Sequence, residues 1–388
     1  MSGIVLSASV RQNLLSLQST ADLLATTQNR LSSGKKVNSA LDNPTNFFTA
    51  QGLDNRASDI NNLLDGIGNG VQVLQAANTG LTSLQKLVDT AKSIASQVLQ
   101  TTSGYSPKST VTSAAALGGT PTNLVDGVTI KAGDVLAIAA TGGGTATTIT
   151  FGANESLAQL NTALAANNLT ASLDSANKLV ITTTNDAASS TIGAVTYTNT
   201  GGGTVTFGAV APPVADPASQ TIRASLVAQY NNIITQISTT AQDASFNGIN
   251  LLNGDNLKLT FNETGKSTLN ISGVTYSAAG LGLSPLVPGT DFLDNSSANA
   301  TIAKISAASS ALRTEASSLG SNLSVVQIRQ DFSKNLINVL QTGSANLTVA
   351  DTNEEAANSQ ALSTRQSIAV SALALANQSQ QSVLQLLR

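Results

Sequence analysis

NEEAANSQALSTRQSIAVSALALANQSQQSVLQLLR, residues 353–388, is the stretch around which the chain is best read. After Glu355 it holds no acidic residue, no Gly and no Pro, and its only charges are Arg365 and Arg388. Apolar residues recur at Leu362, Ala369, Leu373, Ala376, Val383 and Leu387, with Gln366 and Gln380 on the same row, a 4,3 spacing that predicts a coiled-coil helix. Such a helix is marginal alone in water, so it needs a partner. Residues 4–31 carry the matching row: Val10, Leu14, Leu17, Ala21, Leu24 and Leu31, with Gln28 as its polar member. Two seams at opposite ends of the chain predict a polypeptide that leaves and returns to one place.

Composition narrows the chemistry. The 388 residues allow two or three domains, and 41% hydrophobic residues are enough for a core. Aromatics are only 3%, so Ala, Leu, Ile and Val must do the packing. Without His or Cys there can be no disulfide, thiolate or imidazole metal site, cysteine nucleophile or imidazole-based triad. Only carboxylate or lysine chemistry remains, and no catalytic residue, metal site or cofactor is expected. Lys plus Arg number 19 and Asp plus Glu 22, a net charge of -3 that offers no footprint for nucleic acid or an anionic membrane. MSGIVLSASVRQN lacks the pattern of a cleaved secretory signal, and no apolar run reaches the ~18 residues of a membrane span.

Along the chain, the first helix is expected from about Ile4 to Ser33, capped by Gly34, followed by a spoke over residues 35–43. Asp42, Asn43 and Pro44 read as the cap and first-turn proline of a second helix reaching to about residue 102. The glycines of DGIGNG (65–70) oppose that helix, yet the apolar row keeps its phase from Leu64 through Ile67 and Val71 to Leu74, which favours continuity. Residues 103–220 change to Thr, Gly and Ala with alternating runs such as VTIKAGDVLAI and TATTITF. A helical ESLAQLNTALAANN follows, then strands LTASL and KLVITTT, and residues 198–217 read as a return linker. A short helix over 219–241 comes next, then a β-hairpin in which NLKLTF and KSTLNISGVTYS flank NETG. The helix expected at about 297–342 has the clearest heptad, with Ile302, Ile305, Leu312, Ala316, Leu319, Leu323, Val326, Ile337 and Leu340 on one seam, and Gly343 as its stop. Thr352 and Glu355 read as a capping box for the terminal helix.

Isolated motifs favour bland readings. GKS (265–267) and GKK (34–36) lack the upstream glycine of a phosphate loop, and Glu354 and Glu355 are adjacent on a helix, too divergent to act as an acid and base pair. A heptad seam is usually ordinary core. Here the seams occupy both chain ends and carry almost no charge, which raises the weight of assembly. The residues singled out for coiled-coil assembly are Val10, Leu14, Leu17, Leu24, Leu31, Leu362, Leu373, Val383 and Leu387, with Ile302, Ile305, Leu312, Leu319, Leu323 and Val326.

Three motifs in order carry a resemblance: QNRLSSGKKVNSALDNPTNFFTAQGL (28–53), FNGINLLNG (246–254) and ADTNEEAANSQALSTRQSIAVSALALANQSQQSVLQLLR (350–388). Over roughly residues 1–104 and 218–388 the chain resembles bacterial flagellin. The resemblance implies a mainly α fold: paired N- and C-terminal coiled-coil helices and a helical bundle with a β-hairpin, plus an inserted α+β outer domain. Its domains would be residues 1–44 (inner helix and spoke), 45–104 (bundle), 105–217 (outer insert), 218–344 (bundle) and 345–388 (inner helix). In this chain the insert precedes the FNG hairpin, whereas the family's variable region usually follows it. The function implied is a structural subunit that self-assembles into the flagellar filament for swimming, exported uncleaved through the flagellar type III apparatus to the cell exterior. Its implied partners are copies of itself, an export chaperone, the export apparatus, the filament cap and the hook-junction proteins. Alternatives are a hook-filament junction protein or a surface adhesin carried by the insert, though the insert's few aromatics (Tyr105, Phe151, Tyr197, Phe207) disfavour sugar stacking.

Overall fold

The computed structural model describes residues 8–386. Helix α1 (Ala8–Ser33) is followed by α2 (Pro44–Gln100), a single helix that passes through DGIGNG without a break. Two of its glycines have a packing reason. A Cβ on Gly70 would lie 2.4 Å from Leu259 Cδ2, and one on Gly80 2.6 Å from the Ala244 Cβ, so both let another segment press onto the helix backbone. Asn43 caps α2, its Oδ1 accepting from Asn46 N at 3.0 Å, and Pro44 is the first helical residue as expected.

The insert builds two antiparallel three-stranded sheets. One has the order β1-β5-β4, from β1 (Thr110–Thr112), β4 (Leu169–Leu173) and β5 (Leu179–Thr183). The other has the order β3-β2-β6, from β2 (Val135–Ile138), β3 (Thr147–Thr150) and β6 (Val195–Thr198). Between them α3 (Leu157–Ala165) starts at a capping box, with Ser156 Oγ accepting from Gln159 N and Gln159 Oε1 accepting from Ser156 N. Leu136, Ile138, Phe151, Leu160, Leu164, Leu179 and Ile181 fill one continuous core. Three of the four aromatics pack inward: Phe151, Tyr197 and Phe207 follow one another with centroids 6.0 Å apart and rings tilted by 45° and 49°, against that core. Two aspartates fasten the loops. Asp134 accepts from Lys131 N, Gly201 N and the Tyr197 hydroxyl, and those bonds hold its carboxyl down against the effect of burial. Burial likewise acts to raise Asp126, but the Thr129 hydroxyl and the backbone N–H groups of Val128, Ile130 and Thr129 outweigh it and pull the group down to about 2.

The return segment was expected to be a plain linker, and here the structure differs. Residues after Thr198 pair back across the insert's entry through bridges Ser113–Phe207, Thr110–Ala211 and Tyr105–Ala215. Beyond it α4 (Pro217–Asp243), the hairpin strands β7 (Asn256–Thr260) and β8 (Thr268–Ser272), α5 (Asn295–Thr348) and α6 (Thr352–Leu386) complete the chain. Helix α5 runs through Gly343, which the sequence marks as a stop. Its φ is not left-handed, and the helix ends instead where the backbone at Val349 pairs with Lys35. The capping box proposed for α6 is also corrected. Asp351 is the cap, accepting from Asn353 N and Glu354 N, while Thr352 is the first helical residue and Glu355 turns to Arg30.

Two compact units divide the chain. The first takes Met1–Gly70, Lys258–Leu269 and Val325–Arg388, with Ala57, Ile60, Ile337 and Leu340 at its core; the second takes Val71–Leu257 and Asn270–Ser324. Inside the second, Arg223 on α4 is fully buried. Its Nε donates to Thr102 O (2.6 Å), Nη2 to Val98 O (3.1 Å), Thr101 O (3.0 Å) and Asn295 Oδ1 (3.1 Å), and Nη1 to the carbonyls of Phe292 and Leu293. The guanidinium thus satisfies carbonyls that the end of α2 leaves open, at the negative end of that helix's dipole. Burial lowers its pKa and nearby Asp294 opposes the shift. Next to this clamp lies the neck of the insert, where Asp216 N donates to Gly104 O at 3.0 Å and Gly104 N to Leu293 O at 3.2 Å.

Two expectations follow from this neck. Arg223→Met should cost at least about 3 kcal/mol in urea denaturation, because it strands several buried carbonyls, and Arg223→Lys should recover only part, since an ammonium cannot fork to all of them. Replacing residues 105–215 by a short Gly/Ser link should leave the bundle's helical circular dichroism and its melt largely intact, because Gly104 and Asp216 already touch. Collapse of the helical signal would make the insert part of the bundle's core.

Candidate functional site

The two chain ends meet as the sequence pattern requires. Helix α1 packs along α6. Gly34, at φ +69°, ends α1 in the left-handed conformation that frees the chain to turn. Lys36 N then donates to Thr348 O at 2.7 Å and Ala350 N to Gly34 O at 2.9 Å, forming a short two-stranded base under the helix pair. Beside it Arg30 Nη1 lies 3.2 Å from Glu355 Oε1. Since Arg30 ends α1 and Glu355 begins α6, the ion pair also suits both helix dipoles, and the two helices run antiparallel.

From Glu355 to Ala376, every shielded residue of α6 falls on one row: Glu355, Ser359, Leu362, Gln366, Ala369, Leu373 and Ala376. On α1, Val10 is buried and Leu17, Ala21 and Leu24 are half-buried, while Leu14 and Leu31 of the same row remain exposed. Leu387 lies outside the described residues, as does the side chain of Val383. Two helices can shield one row on each, and the flanks stay open: Leu15 is 66% exposed and Leu375 69%, with Leu23, Ile368 and Val370 alongside. These apolar side chains are on the surface of the helix pair, outside the row that the pair shields.

On α5 the expected seam faces inward. Ile305, Leu312, Leu319 and Val326 are buried and Ile302 and Leu323 half-buried, so this row is satisfied within the chain. A second row was not anticipated: Val325, Ile328, Phe332 and Val339 repeat at 3 and 4 along α5 and are exposed. Its signal was present as the same heptad displaced by two positions, masked by the stronger inner row. Leu41 and Phe48 on and after the spoke are exposed as well.

A cleft of about 230 Å³ beside the hairpin is lined by Arg56, Phe261, Glu263, Arg329 and Phe332; Arg56 Nε pairs with Glu263 Oε1 at 2.9 Å, and the Arg329 guanidinium sits 5.7 Å over the Phe261 ring. Gly265, at φ +71°, turns the hairpin, with Ser267 N donating to Asn262 Oδ1, so GKS is a turn. Among the described residues no three His, Cys, Asp or Glu side chains are grouped to hold a metal, and no helix is long and apolar enough to cross a membrane.

A first and a last helix that return to pair with each other, beside further long helices, define a mainly helical protein with apolar side chains left on the surface of that pair. Comparison with known families sharpens this. The bacterial flagellin N-terminal helical region matches residues 5–118 and the bacterial flagellin C-terminal helical region residues 302–387, together more than half of the chain. Flagellin FljK of Caulobacter vibrioides is 33% identical over 166 residues, 42% of this chain and 59% of that one, and flagellin FljM of the same bacterium is 32% identical over the same length. Flagellin A of Rhizobium meliloti is 38% identical over 90 residues, 23% of each chain. The chain belongs to the bacterial flagellin family, and the match spans 59% of the length of the Caulobacter relatives FljK and FljM.

The Arg30–Glu355 pair should be a modest fastener. Arg30 is partly exposed, so a double-mutant cycle with Arg30→Ala and Glu355→Ala should give a coupling of about 0.5–1 kcal/mol that shrinks as salt is added. A coupling of zero at low salt would assign the base of the pair to its backbone bonds alone.

Proposed function

We propose that the chain is a structural subunit that self-assembles into the bacterial flagellar filament and works outside the cell in swimming motility. The observation that carries this reading is the half-buried α1/α6 pair, whose apolar flanks are left open along both helices. Burying each exposed Leu or Ile is worth ~1.5–3 kcal/mol, enough over many contacts to offset the ordering of the ends. Residues 1–44 and 345–388 then form the inner layer of the filament, 45–104 and 218–344 the surrounding bundle, and 105–217 the outer surface. A heterologous contact that does not close on itself yields a filament, and nothing in it calls for catalysis. By family, the further partners are an export chaperone, the export apparatus, the filament cap and the hook-junction proteins, and export is expected to leave the chain uncleaved. A junction role is less well supported, because the named relatives are flagellins. An adhesin role for the insert is disfavoured by aromatics that pack against its own core.

Electron microscopy of the purified protein under polymerising conditions, paired with limited proteolysis, tests the reading. Long filaments are expected, with α1 and α6 cut in the monomer and protected in the polymer. Absence of filaments, or equal cleavage of both helices in the two states, contradicts it.

A further inference from the structure

Phe292, just before α5, adopts a backbone conformation that its side chain disfavours. Its φ is +65°, in the left-handed region, where a bulky residue persists only if its surroundings hold it. Here they do. The ring is fully buried and meets Tyr230 edge to face at 6.1 Å, the Phe292 N–H donates to Ser297 Oγ at 3.2 Å, and its carbonyl accepts from Arg223. The turn that results sets the next two residues to work on the insert. Leu293 O accepts from Gly104 N at the neck. Asp294 accepts with both carboxylate oxygens from Ser189, Oδ1 from the N–H at 2.7 Å and Oδ2 from the hydroxyl.

The neck alone is a weak fixture. It is a ribbon two segments wide, in which Ser106 N donates to Val214 O and Val214 N to Pro107 O, both at 2.9 Å, beside the Tyr105–Ala215 bridge. Units joined by a small polar connection move relative to one another by default. Ser189 belongs to a third segment, following the short helical turn Asn185–Ala187, and that segment is packed into the insert. Ala187 and Ala188 are fully buried, and a Cβ on Gly142, at φ +53°, would lie 2.4 Å from the Ala187 Cβ. A grip on this segment therefore acts on the whole insert, and a third point of attachment removes the freedom of a ribbon to bend and twist. The bundle half of the grip is preset, because Arg223 also donates to Leu293 O and Asn295 Oδ1 on either side of Asp294.

We propose that Asp294 and Ser189 form a latch that fixes the orientation of the insert on the helices beneath it, and that the insert swings on its two-stranded neck when the latch is open. The strained turn at Phe292 is the device that holds the carboxylate ready. The latch acts within a single chain and so goes beyond the assembly reading. In a filament its consequence would be that every subunit presents the insert at the same angle.

The chain holds no cysteine, so spin labels can be attached at chosen sites. Ala163→Cys on α3 and Ala228→Cys on α4, both exposed, carry the labels, and pulsed electron paramagnetic resonance reads the distance distribution in the unpolymerised chain. This background should give one narrow peak. Asp294→Ala removes both acceptors. Ser189→Glu sets a second carboxylate against the first from the insert side, leaving Asp294, Arg223 and the neck in place. Each should widen the distribution about twofold or more with the helical circular dichroism retained, and where Asp294→Ala fails to fold, Ser189→Glu decides. A broad distribution in the background, or a narrow one in Ser189→Glu, would overturn the latch; widening in Asp294→Ala alone would assign the effect to the Arg223 knot. Loss of the helical signal in both variants would overturn it too, by making the contact part of the folding core. Filament formation, scored separately, bears on the assembly reading alone.

Discussion

Everything in this architecture depends on an antiparallel closure of a few residues, in which Gly34 to Val37 meets Thr348 to Ala350. Each terminal helix packs along the other, and helices in proteins draw most of their stability from packing of an amphipathic face. The closure brings them into register so that each shields the other's heptad row. It also sets a limit: a two-helix pair can cover only one stripe per helix. The open flanks around Leu15, Leu23, Ile368 and Leu375 are therefore a geometric consequence of building the ends from two helices.

A second closure, at the neck of the insert, is made by different physics. There the chain must leave a helix bundle and return without stranding the carbonyls at the end of α2. A single buried guanidinium satisfies them, tying α2, α4 and the segment before α5 into one knot. With the knot in place, Gly104 and Asp216 are hydrogen-bonded neighbours, so what lies between them can be elaborated with little effect on the bundle. The insert uses this freedom to build its own two sheets and core, and it latches to the bundle through Ser189 N donating to Asp294 Oδ1.

Long-period features were the legible ones. The end-to-end pairing, the unbroken α2, the inward row of α5 and the strands around α3 all follow from repeats sustained over many residues. Features fixed by single contacts were not. Gly343 and Thr352 have the local chemistry of a stop and a cap, but at Gly343 the helix continues because its backbone conformation stays helical, and before Thr352 the neighbouring Asp351 has the better-placed oxygen. Strands β1 (three residues) and β6 (four) lie in runs that carry no marked alternation in the sequence, and both exist because partners distant in sequence lie beside them. Arg223 was invisible for the same reason: six acceptors converge on it from two segments, 98–102 and 292–295, and neither is nearby in sequence.

The scarcity of charge, 11% of residues, can be understood from what the surface has to do twice. A subunit must stay dissolved when alone and then bury much of the same surface when assembled. Lysine and glutamate serve the first need but oppose the second, because an ion removed from water costs several kcal/mol unless it is paired with good geometry. Serine, threonine, asparagine and glutamine are hydrated adequately in the monomer and far cheaper to desolvate, particularly where a hydroxyl can bond back to the helix carbonyl four residues earlier, as Thr364, Ser367 and Ser371 do on α6. Those three hydroxyls of α6 are thus satisfied before any partner arrives. Arg30 and Glu355, the charges that are drawn into the helix pair, neutralise one another at its base. On the proposed self-assembly, composition that alone looks merely neutral is matched to a surface that is wet in the monomer and dry in the polymer.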